Sequence, residues 1–135
     1  MDLLNNLLFF LIAVAILVSF HEFGHFIVAR WLGVRVLKFS IGFGKTIWSW
    51  KKTPVGTEYA VGMIPLGGYV RMLDEREGNV DPQDRDKAFN RKPLSTRSLI
   101  VLAGPAANLL LAILLYWSIG LIGNEDLKPV VGSVT

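Results

Sequence analysis

The residues best suited to chemistry stand together. His21-Glu22-Phe23-Gly24-His25 spells H-E-x-x-H, and its two histidines are the only ones among 135 residues. At average composition the pattern arises by chance in about a few per thousand chains of this length, so coincidence explains it poorly. On a helix, residues four apart stand about 40° from each other around the axis, so His21 and His25 can offer both imidazoles to one ion. Two neutral imidazoles, one further oxygen ligand and an open position for water suit Zn2+. Glu22 falls one position round, near such an ion without having to bind it, which is the place for a general base acting on the activated water.

Those residues need a helix to hold them, and the sequence supplies a very apolar one. From Leu3 to Phe20 the only polar side chains are Asn5, Asn6 and Ser19, and the apolar character resumes at Phe26. A helix over Leu3 to Leu32 would be about 45 Å long, ample for a hydrocarbon core of about 30 Å. An ionisable side chain inside a membrane helix costs about 2.5–3.5 kcal/mol, so a Glu between two His at that depth reads as functional. A second run, Leu99 to Ile122, holds 24 residues without a charge, broken by Gly104, Pro105, Asn108, Ser118 and Gly120. A signal peptide would need a basic start, whereas Asp2 is the only charge before Glu22. The buried core helix of a soluble protein rarely carries more than about 18 such residues.

Composition agrees. The chain is 52% hydrophobic and 19% charged with no cysteine, which excludes a disordered chain, a disulfide framework and a basic nucleic-acid module. Of the 14 basic residues, 13 lie between Arg30 and Arg97, against seven acidic ones there, so the positive-inside rule puts about residues 33–97 in the cytoplasm and both termini outside. His21 then lies roughly 14 Å from Arg30 along the helix, and Asn108 roughly 16 Å from Arg97. Two antiparallel spans would bring Asn108 alongside the histidines, with Ala103, Gly104 and Ala107 letting the backbones approach. Asn108 is expected to hydrogen-bond a substrate carbonyl or backbone; an interhelical packing bond is the plainer alternative.

Between the spans, Val34 to Phe43, Thr46 to Trp50 and Thr57 to Leu66 read as short strands, interrupted by a turn at Lys51 to Gly56 and by the Gly67-Gly68 break. Their apolar content predicts a sheet leaning on the membrane, with an ordinary soluble hairpin as the alternative. The expected fold is a mainly α membrane protein: two transmembrane helices joined by a cytoplasmic, membrane-associated β-hairpin or meander and a polar loop. The segments are 1–33 (first span), 34–73 (β-loop), 74–97 (polar loop), 98–123 (second span) and 124–135.

At this point the chain resembles the site-2 proteases, intramembrane zinc metalloproteases. The likeness rests on His21 to His25, Phe39-Ser40-Ile41-Gly42-Phe43-Gly44, Gly56-Thr57-Glu58-Tyr59, Ile64-Pro65-Leu66-Gly67-Gly68-Tyr69-Val70, Met72-Leu73-Asp74-Glu75, Ala88-Phe89-Asn90 and Ala103-Gly104-Pro105-Ala106-Ala107-Asn108. The resemblance implies one zinc ion on His21 and His25, Glu22 as base, and a multi-pass protein of the bacterial inner membrane. It also implies a substrate that is the transmembrane segment of an anti-sigma factor, its unwound strand added to the edge at Ile64, Pro65, Leu66, Gly67, Gly68, Tyr69 and Val70. The family's third ligand is an aspartate in a later span. Neither Asp74 nor Asp126 reaches the depth of His21, and Pro129 to Val134 resembles the opening of a periplasmic PDZ domain. These residues are therefore expected to be the N-terminal part of a longer protein.

Two other readings remain at this stage. A membrane di-iron oxygenase needs many more than two histidines. A non-catalytic hairpin scaffold gives no reason for Glu22 beside both His.

Overall fold

The computed structural model describes residues 2–54 and 56–123. Helix α1 spans Leu3–Trp31, strand β1 Val36–Lys51, strand β2 Glu58–Met72, and helix α2 Leu94–Ile122, with two 3-10 turns at Pro82–Lys87 and Phe89–Arg91 before α2. The segment expected to begin a PDZ domain, Asp126 with it, lies outside the described residues.

Both helices are long and apolar enough to cross a membrane. Asp2 starts α1, its Oδ1 accepting the N–H of Asn5 at 3.1 Å. A Schellman closure ends it. The Gly33 N–H donates to Arg30 O and the Val34 N–H to Ala29 O, with Gly33 at φ +80°. Val34 and Ala29 are both buried at that corner, so the chain leaves the helix pinned by packing as well as by hydrogen bonds.

α2 begins at Leu94, four residues before the span expected from residue 98. Its first turn, Leu94-Ser95-Thr96-Arg97, is polar and charged, so a search for an unbroken apolar run misses it. Such a run marks the apolar length of a helix, not its ends. Pro105 inside α2 removes one backbone donor without ending the helix.

The two strands pair antiparallel at both ends of the sheet: Phe39 opposite Val70 and Ile41 opposite Gly68 at one end, Trp48 opposite Val61 and Lys51 opposite Glu58 at the other. The first half of β1 also meets the first half of β2, Lys38 with Glu58 through Ile41 with Val61. Across the sheet the order is therefore 46–51, 58–62, 38–41, 68–72, which leaves 68–72 as one outer edge. The expected break at Gly67-Gly68 does not occur, because β2 runs through both glycines to Met72. Residues without a Cβ let a strand bend onto a neighbour while staying paired.

Phe26, Ala29, Val34, Val36, Phe39 and Ile100 form the core where the 31-end of α1, the start of α2 and the sheet meet. The rings of Phe26 and Phe39 lie 5.2 Å apart. The polar segment is stitched to this corner by main-chain bonds: Leu73 N–H to Arg35 O, Arg35 N–H to Lys87 O and Phe89 N–H to Leu73 O, all 2.7–2.9 Å. An Arg35–Asp84 ion pair at 3.0 Å reinforces it. The site on α1 thus rests on a rigid floor at one end, while the rest of both helices exposes apolar side chains.

Candidate active site

His21 and His25 project from one face of α1 toward α2, their ring centroids 4.7 Å apart and their Nε2 atoms 3.1 Å apart. Two imidazole nitrogens converge on one point only when something holds each ring from behind. For His25 the holder is a main-chain atom of α2, since its Nδ1 lies 2.7 Å from the Ile100 carbonyl oxygen and donates to it. For His21 it is a side chain about two turns further along α2, the Asn108 amide nitrogen lying 3.3 Å from Nδ1. Asn108 Oδ1 is buried and has no hydrogen-bond partner.

Close approach of the helices makes this reach possible. A Cβ on Gly24 would lie 2.7 Å from Ala107 Cβ and 3.0 Å from the Ala103 carbonyl carbon, so α1 presses backbone against α2 between its two histidines. A Cβ on Gly104 would lie 2.7 Å from His21 Nε2 and 2.6 Å from His25 Cε1. The empty side of Gly104 is therefore the hollow onto which the histidine pair opens.

Glu22 points away from this face toward the sheet. A Cβ on Gly68 would lie 3.4 Å from Glu22 Cγ, which sets the outer strand 68–72 beside the carboxylate. Around that strand Ile64, Leu66 and Tyr69 are exposed.

The donor set fits two positions of a zinc site: two imidazoles whose Nε2 atoms converge, His25 Nδ1 donating to the Ile100 carbonyl as a ligating histidine requires, and His21 Nδ1 within reach of the Asn108 amide. No group of three His, Cys, Asp or Glu side chains able to hold a metal occurs among the described residues.

The structure brings His21, His25 and Asn108 into direct contact and sets Glu22 between them and the edge at Gly68. Sequence reasoning missed the Ile100 carbonyl, which any residue type could provide. It took Gly104 as a helix-packing residue and not as the floor of the histidine pair. The signal for the latter was present, because Gly104 lies one turn before Asn108 and so on the same face of α2.

The sequence profile of Peptidase family M50 matches residues 9–132. A Salmonella typhimurium protein named regulator of sigma-E protease RseP is 50% identical over 135 residues, all of this chain and 30% of that protein. A Vibrio cholerae protein provisionally named a zinc metalloprotease is 54% identical over 134 residues, 99% of this chain and 29% of that protein. A Xylella fastidiosa protein with the same provisional name is 52% identical over 131 residues, 97% of this chain and 29% of that protein. The chain spans about three-tenths of the length of these relatives.

Proposed function

Since the chain belongs to peptidase family M50, the site-2 proteases, we propose that it is the part of an intramembrane zinc endopeptidase that carries two metal ligands and the base. The observation that supports this most directly is the convergence of His21 and His25 Nε2 at 3.1 Å over Gly104, with the Glu22 carboxylate one position round the helix. His21 and His25 hold the ion. A bound zinc supplies a water of lowered pKa and polarises the scissile carbonyl. Glu22 accepts the water's proton and returns it to the leaving amine.

A peptide bond in a membrane helix is shielded because its carbonyl is already hydrogen-bonded, so the substrate must unwind first. Strand 68–72, next to Glu22 and open on its outer side, supports the reading that Ile64 to Val70 receives the unwound segment by strand addition. In this reading residues 33–97 are cytoplasmic with the sheet against the bilayer of the bacterial inner membrane, residues 1–33 and 98–123 cross it, and 124–135 lead into a periplasmic PDZ region. Relatives named for regulating sigma-E support an anti-sigma factor as substrate.

The test is cleavage of a reporter transmembrane segment in bacterial membranes by the full-length protein and its Glu22→Gln variant. Loss of cleavage in a variant that still inserts supports the protease. Equal cleavage in both removes Glu22 from the chemistry, and none by either across several reporters favours a scaffold.

A further inference from the structure

With the Asn108 amide nitrogen turned toward His21, the contacts around that ring admit one assignment of protons. The Asn108 amide nitrogen can only donate, so Nδ1 of His21 must carry a lone pair and its proton sits on Nε2. That Nε2–H then donates across 3.1 Å to Nε2 of His25, whose own proton is on Nδ1 and donates to the Ile100 carbonyl at 2.7 Å. The chain of bonds is complete with both rings neutral, and it leaves one oddity: the Asn108 carbonyl oxygen is buried without a partner. A buried acceptor left unsatisfied is destabilising.

In this arrangement a proton occupies the atom with which His21 would hold a metal. To ligate through Nε2, the ring must carry its proton on Nδ1 instead, and an N–H there needs an acceptor. Asn108 has one, the unpartnered Oδ1 on the same amide. We infer that Asn108 is a positioning residue that selects the protonated nitrogen of His21: its NH2 end holds the ring with the proton on Nε2, and a half-turn of the amide presents Oδ1 to hold the ring with the proton on Nδ1. One proton moves from Nε2 to Nδ1, and the charge of the ring is unchanged. The second state rests on the zinc reading above; the first does not. Asn108 thereby acts through His21 and not on the substrate.

Side chains at position 108 separate these roles. Aspartate can only accept, so it should favour Nδ1–H, whereas leucine offers neither bond. Nitrogen-15 spectra of histidine-labelled, metal-stripped full-length protein in micelles, with His21 assigned from a His21→Gln variant, should show Nε2–H in the parent, Nδ1–H in Asn108→Asp and a mixture in Asn108→Leu. The same tautomer in all three overturns the inference. Zinc affinity by chelator competition is the second readout. Asn108→Leu should bind about 10–100-fold more weakly, the usual effect of removing a ligand's outer partner, and Asn108→Asp at least as tightly as the parent. Asp as weak as Leu overturns the acceptor role. Should the carboxylate prevent insertion, Asn108→Leu decides alone, and unchanged tautomer and affinity refute the inference. A tautomer that follows residue 108 in a parent that binds no zinc upholds the positioning role and sinks the zinc reading.

Discussion

Gly104 faces His21 so closely that a Cβ there would stand 2.7 Å from Nε2, inside van der Waals contact. The glycine therefore keeps clear the space the histidine pair opens onto. Gly104→Ala is expected to push both rings off their Nδ1 partners, Ile100 and Asn108, and to weaken zinc binding about 10–100-fold. Chelator competition on the full-length protein measures it. Parent-like affinity would mean that the rings shift together and that the hollow is not part of the site.

Gly24 sets the helix spacing independently of metal. An added methyl would meet Ala107 Cβ at 2.7 Å, with the Ala103 backbone close behind, so Gly24→Ala should force α1 and α2 apart. Overpacking of this kind costs about 1–3 kcal/mol. Reversible unfolding in mixed micelles, read on metal-stripped protein, should show that loss. A variant as stable as the parent would show that the helices slide past the methyl.

How much of this was legible beforehand follows from what each feature depends on. H-E-x-x-H on an apolar stretch depends only on residue type and spacing, so the motif at His21, Glu22 and His25 could be read directly, and so could the antiparallel pairing of two apolar helices that brings Asn108 beside His21. The start of α2 at Leu94 was hidden because its first turn is polar, and the passage of β2 through Gly67-Gly68 because a glycine pair signals a bend and a break alike. The folding-back of β1 and β2 into a four-stretch sheet was not legible, since it depends on pairing between residues far apart in the chain. The Ile100 carbonyl holding His25 carries no side-chain signature at all.

Strand β2 is followed by a turn whose charge state can be checked by titration. The Arg76 guanidinium, hydrogen-bonded to both Asp74 oxygens, holds that carboxyl below the usual carboxylate range. A depressed folded-state value means that the pair contributes to stability at any pH above the unfolded value, about 3.9, and that the contribution is lost as pH falls through the lower folded value. Carbon-13 titration of Asp74 should give a midpoint below that of a free aspartate. Arg76→Ala should return the midpoint toward the ordinary range. An unmoved midpoint would mean that the bond to Arg76 is not formed in solution.

The outer strand tests substrate capture separately from metal binding. The Leu73 N–H points inward to Arg35 O, so by the alternation of a paired strand the N–H groups of Arg71 and Tyr69 also point in, while those of Val70 and Gly68 point out. A substrate strand added at this edge would use the outward groups. Val70→Pro removes one of them without breaking a bond inside the sheet, and a net hydrogen bond of about 0.5–1.5 kcal/mol predicts cleavage slowed up to about tenfold. Zinc affinity should be unchanged, since Val70 packs on the core around Phe26 and Phe39. Tyr69→Pro, which deletes an inward bond, should instead loosen the sheet itself and show it by faster amide exchange at Ser40 and Ile41. If Val70→Pro cleaves as fast as the parent while its sheet stays intact, the substrate does not add to this edge.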